Sequence, residues 1–175
     1  VTNNGTDDGN LWVVIINEDG TGRVSRKLND ANIDGVFRPL FFDAGNDGSI
    51  EVLGLEQHGP TYYTGTSKAH IIDSDTGAVQ NTYSIGSNEY SFFATTDALI
   101  AASKRYAGSV VILDHSLNES VSTNIGAEAF VYAINDIDGD GDEEVIARGN
   151  TTLYVLDLML NTEWSRVGFM KQVCL

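Results

Sequence analysis

At 175 residues, with a net charge of −15 and a pI near 4.2, the chain suits one domain with a real core and argues against nucleic acid or an anionic membrane surface as a partner, since either needs a basic footprint. Hydrophobic residues are 42% and charged residues 20%, a globular balance; no run of about 18 apolar residues offers a membrane span. Cys174 is the only cysteine, so no intrachain disulfide framework exists.

In chain order, "NLWVVIINEDGTGRVSRKL" (10–28) reads as an apolar strand, a polar turn at Asn17 and a polar-alternating strand. "FRPLFFDAGNDGSIEVLGL" starts at Phe37 and reads as strand, acidic turn, strand. "SKAHIIDSDTGAVQNTYSIG" (67–86) follows as an apolar strand ending at Asp73, a turn, and a polar strand closing on Ile85-Gly86. "YSFFATTDALIAAS" begins the same sequence of events at Tyr90, with its turn reduced to "TTDAL" (95–99) and no acidic loop left. "GSVVILDHSLNESVSTNIG" (108–126) supplies its second half, with Asp114 in the aspartate slot. "FVYAINDIDGDGDEEVIARG" begins at Phe130, and "TTLYVLDLMLNTEWSRVG" (151–168) completes it through Asp157 to Val167-Gly168.

The repeating unit is aromatic strand, turn, apolar strand, loop, apolar strand to Asp, turn, polar strand, Gly. Four short strands per ~40–50 residues mark a β-propeller blade. The expected fold is all-β, with full blades over about 37–86, 90–126 and 130–168, a partial blade at 1–28 and a fragment at 169–175. The whole of 1–175 is then a single propeller domain or a segment of a larger one. Residues 169–175 and 1–28 could also combine to close a small ring, removing exposed edges, but 169–175 is short for two strands. A partial propeller, or one completed by a neighbouring chain, fits better. No stretch sustains a helical period.

Residues 136–144 hold six carboxylates in nine positions. Asp136, Asp138 and Asp140 take positions 1, 3 and 5 of a loop, Gly141 the sixth, Asp142 the seventh and Glu144 the ninth. A tight turn with carboxylates at alternate positions aims several oxygens at one centre, and the Asp142 carbonyl is the natural donor at its position. Calcium takes six to eight oxygens at ~2.3–2.6 Å; magnesium keeps its waters, and a transition metal wants His or Cys. A solvated acidic turn without an ion is the plainer alternative. The first half matches an EF-hand, but position 12 is Ala147 instead of Glu, and the flanks are strand-like. "DAGNDGSIE" (43–51) keeps the register with Asp43, Asp47 and Glu51, and has Gly45 at position 3. It reads as a weaker second site.

A D-x-D-x-D-G-x-x-E loop between strands, inside a four-stranded repeat, resembles the FG-GAP/VCBS type of calcium-binding propeller blade found in integrin α-chains and many bacterial surface proteins. The resemblance is densest over 130–149. It implies an extracellular or secreted cell-surface module, with structural Ca2+, serving adhesion, assembly or ligand binding, and a protein or carbohydrate ligand at the cell surface. "HIIDSDTGAV" is also similar to quinoprotein-type blades, but no residue supports a quinone cofactor.

No catalytic motif emerges around His58, His70 or His115, so an enzyme is not expected. The leading rival is nevertheless a calcium-dependent polysaccharide lyase or carbohydrate-binding propeller, for which Arg38, Lys68 and Arg148 are scattered basic candidates. Another is a self-assembling surface or filament subunit. Tyr62 and Tyr63 fit a contact patch or blade-edge packing; Trp12 and Trp164 read as core or blade-packing residues.

Overall fold

The computed structural model describes residues 12–27, 40–43, 47–57, 66–87, 93–96 and 99–168. Among these every regular element is a strand. The chain divides into two compact units, residues 1–88 and 89–175.

The first unit holds a two-stranded hairpin, β1 (Trp12–Ile16) with β2 (Gly22–Lys27), and a four-stranded antiparallel sheet of β3 (Leu40–Phe42), β4 (Glu51–Gln57), β5 (Thr66–Asp73) and β6 (Val79–Ser87). Each strand pairs with its sequence neighbour, the up-and-down order that short turns enforce. Ile15 of the hairpin packs with Val79 against the buried pair Val52 and Ile72. His70, in the middle of β5, is buried, with its Nδ1 2.9 Å from Thr82 Oγ1. His58, Tyr62 and Tyr63 lie outside the described residues. So does Arg38.

The second unit holds two four-stranded antiparallel sheets. One is β7 (Phe93–Thr95), β8 (Leu99–Lys104), β9 (Ser109–Asp114) and β10 (Glu119–Asn124); the other is β11 (Ala129–Asn135), β12 (Glu144–Gly149), β13 (Thr152–Leu156) and β14 (Thr162–Val167). Ala101, Val110 and Ile112 of the first sheet pack on Ala129, Val131, Val145 and Ala147 of the second. The unbroken apolar runs of β8 and β9 follow from burial on both faces. β14 is exposed along its whole length. Trp164 there is 46% exposed, so it is no core residue; an edge strand shows the same alternation as a buried one.

The aspartate that ends each third strand organises the turn after it. Asp114 Oδ1 accepts the Asn118 N–H (2.9 Å) and Oδ2 the Asn118 Nδ2–H (3.0 Å); Asp157 does the same with Asn161, both at 2.8 Å. A backbone bond from the same slot closes all four copies: Asn17 N–H to Thr21 O (2.9 Å), Asp114 to Asn118 (3.0 Å), Asp157 to Asn161 (3.0 Å) and, across a turn one residue longer, Asp73 to Ala78 (2.9 Å). Asn17 thus fills the slot without a carboxylate. Leu117 and Leu160 adopt left-handed φ of 63° and 61° in their turns. That costs about 1–2 kcal/mol for a side-chain-bearing residue, and burial of each leucine, worth about 1.5–3 kcal/mol, offsets it.

Asp157 sits below the usual carboxylate range, first because the Asn161 side-chain amide bonds its charged form. Burial pushes Asp114 up, but the Asn118 amide and backbone bonds outweigh that and hold it low. A carboxylate depressed in the folded state contributes stability that is fully present above its unfolded pKa, ~3.9, and is lost as pH falls through the folded value. Asp157→Asn is expected to cost about 1 kcal/mol at neutral pH and to flatten the loss of stability below ~pH 4. Urea titrations across acid pH, on parent and variant, measure both.

Candidate metal centre

The acidic loop closes the β11–β12 hairpin, whose last register pair is Asn135 with Glu144. Its backbone wraps around its own carboxylates. Asp136 Oδ1 accepts the Gly139 N–H (2.7 Å) and Oδ2 the Gly141 N–H (3.1 Å). Asp138 Oδ1 accepts from Asp140 N–H (3.1 Å), and Asp140 Oδ1 from Asp142 N–H (2.9 Å). Gly141 has φ +97°, the positive value that its place in the turn demands. Glu144 is the first residue of β12 and is 2% exposed; its Oε2 accepts the Ile137 N–H at 2.8 Å.

Asp136, Asp138 and Glu144 each place a carboxylate oxygen within 4.8 Å of the others. Among the described residues they are the trio so arranged. An oxygen–oxygen span of that size is about twice a calcium–oxygen bond of ~2.4 Å, so one hard cation could touch all three. The donor set is oxygen only, as such a cation prefers. Asp140 and Asp142 stand in the loop but outside this trio. Burying a carboxylate as deeply as Glu144 is costly unless something balances its charge.

Glu163 was not singled out in the sequence, yet it belongs to this electrostatic environment. It stands at the start of β14, where the β13–β14 register slips between Leu156–Thr162 and Val155–Trp164. Desolvation first, then the negative field of Glu144, Asp138, Asp157 and Asp140, holds it above the ordinary carboxylate range. Only strand pairing could have revealed this, because 163 is 19 residues from 144.

The β3–β4 turn repeats the design. Phe42 pairs with Glu51, which is 6% exposed. Asp43 Oδ2 accepts the Gly48 N–H at 2.8 Å, the bond Asp136 makes with Gly141; Asp47 Oδ1 accepts the Ser49 N–H at 2.8 Å, as Asp140 does with Asp142. Asp43 Oδ1 also takes the Asp47 N–H, at 3.0 Å. Gly45, at the third position, lies outside the described residues. In the β7–β10 sheet the corresponding turn is closed by Thr96 N–H to Leu99 O at 2.9 Å.

No known family and no curated protein matches the sequence. Among solved structures, the chain is similar to BamB from Moraxella catarrhalis, with a TM-score of 0.52 and 12% identity, over 85% of this chain and 40% of that one. It is also similar to a protein of unknown function from Bacteroides caccae (TM-score 0.49, 14% identity, 93% and 58% covered) and to the WD40 domain of Neurospora crassa Pan2 (0.43, 12%, 92% and 60%). The chain spans 40% to 60% of the length of these structures. At such identities the likeness shows fold alone, and with the four-stranded up-and-down sheets it identifies an all-β chain built of β-propeller blades.

Proposed function

We propose that the chain is an extracellular calcium-binding β-propeller module, of the FG-GAP/VCBS kind, that serves adhesion, assembly or ligand binding. The propeller fold supports a protein-interaction or ligand-binding role. The observation that carries the calcium reading is the trio of Asp136, Asp138 and Glu144, with ligand oxygens within 4.8 Å, seated where one hairpin closes. The ion's role is structural: it balances buried Glu144, relieves the repulsion felt at Glu163, and ties β11 to β12. Asp140 and the Asp142 carbonyl complete the shell as the loop tightens. Asp43, Asp47 and Glu51 form a second, weaker site, since affinity follows ligand charge.

Calorimetric titration of metal-free protein with calcium is the test. One strong binding event is expected, lost in Asp138→Asn, with a weaker second event lost in Asp47→Asn. Absence of heat, together with an unchanged melting temperature, would overturn the reading.

A further inference from the structure

The end of the last blade away from the acidic loop is built on arginine. Phe130 pairs with Arg148 across β11 and β12, and the Arg148 guanidinium carbon lies 4.2 Å from the Phe130 ring centroid. Arg105, in the β8–β9 turn, reaches the same ring at 4.9 Å and also covers Tyr106 at 4.9 Å. The pairing row continues from Arg148 through Leu153 to Arg166, so these side chains share one face. Among the described residues, Glu128 brings a carboxylate to this end, 3.3 Å from Arg105.

Arg148 is the telling residue. Its Nη1 donates to the Asn150 carbonyl at 3.0 Å, and its buried Nε meets no acceptor. Among the described residues it has no carboxylate partner, in a chain that has 25 acidic side chains against 10 basic ones. The guanidinium is nonetheless fixed in place by the ring and by the Asn150 carbonyl. Asn150 is itself clamped: its Oδ1 accepts the Ala127 and Glu128 N–H groups at 3.1 and 3.2 Å. A stacked guanidinium keeps its fork of donors oriented, so little entropy is lost when a carboxylate arrives. Two such cations close together repel each other, and a visiting anion relieves that repulsion.

We propose that Arg105, Arg148 and Arg166 form a docking point for an extended acidic segment of a partner protein. Arg148 and Arg166 stand two strands apart, roughly 10 Å. A segment in the extended polyproline II conformation spans that distance with carboxylates three residues apart on one face, at about three residues per turn and ~3.1 Å per residue. Tyr106, 41% exposed beside Arg105, adds an amphipathic contact of the kind protein interfaces favour. A polyanionic polysaccharide would be repelled at long range by the net charge of −15, whereas a segment with two carboxylates is repelled far less.

The probe is the peptide acetyl-Gly-Glu-Ser-Ser-Glu-Gly-amide, with its Gln-for-Glu counterpart as control, titrated into calcium-loaded protein while the arginine Nε–H signals are followed by NMR. Saturable shifts of these signals are expected with the acidic peptide alone. Arg148→Gln should weaken binding about tenfold or more. Glu128→Gln, which removes a carboxylate that competes for Arg105, should strengthen it severalfold; a purely structural role for the stack predicts no gain. The Glu128 arm stands even if the Arg148 variant fails to fold. Equal response to the neutral peptide, no saturable shift at millimolar peptide, unchanged binding in Arg148→Gln, or weaker binding in Glu128→Gln would each overturn the proposal. Tighter binding of an oligogalacturonate, lost in Arg148→Gln, would overturn the choice of a protein segment.

Discussion

Calcium at about 100 times its dissociation constant is expected to raise the melting temperature by roughly 5–10 °C, since it adds about 2.7 kcal/mol by mass action and a domain of this size shifts by ~2–4 °C per kcal/mol. Glu144→Gln should remove that response, leaving only what the weaker site at Asp43, Asp47 and Glu51 contributes. Its effect without metal is what gives the experiment its sign. In chelator the parent holds a carboxylate that is 2% exposed, beside Asp136 and Asp138. The neutral amide has nearly the same shape, keeps an oxygen for the Ile137 N–H, and ends that repulsion. The variant should therefore melt at or above the parent in chelator and below it in calcium. Thermal melts of both proteins, each with calcium and with chelator, give the four values needed. If the two melting curves shift in parallel, Glu144 is no ligand.

Gly108→Ala should be the most damaging small substitution in the second unit. Gly108 has φ +67°, and a Cβ placed there would fall 1.7 Å from the Gly126 carbonyl oxygen. That oxygen belongs to the link between the two sheets, where Ile125 N–H donates to Gly108 O at 2.8 Å. The obstruction is backbone, so no side chain can swing aside. Left-handed strain alone costs about 1–2 kcal/mol; displacing the link as well brings the loss to the order of 3–5 kcal/mol. Gly20→Ala serves as the comparison. Gly20 also has a positive φ, +82°, but a Cβ there meets nothing within 4 Å, so only the strain should appear, about 1–2 kcal/mol. Chemical denaturation of the two variants measures the difference. Similar losses in both would show that the close approach carries no energy.

Much of the blade was legible because its punctuation is chemical. An Asp or Asn must end the third strand to bond the turn that follows, and those residues sit at 17, 73, 114 and 157. The acidic loop was legible for a similar reason: Gly141 and the alternate aspartates are demanded by one tight turn. What stayed hidden depends on strands meeting. "TEWSRV" alternates as an inner strand does, so exposed Trp164 could not be told from a core residue. Glu163 joins the loop only through the pairing of β13 with β14. Arg105 and Phe130 are 25 residues apart and come together because Ala129 N–H bonds Arg105 O, at 2.9 Å, across the link between sheets.

The last blade segregates its charges along the strand direction. Asp136, Asp138, Asp140, Asp142, Glu143 and Glu144 cluster at one end of β12, and Arg148 with its neighbours at the other. The second unit is therefore an electric dipole as well as an anion. On a positively charged surface, such as an anion-exchange resin, it should adsorb with its loop end down and its guanidinium end facing the solvent. Filling the loop with a divalent cation would shorten that dipole, so retention on such a resin should fall by more than the change in net charge alone requires.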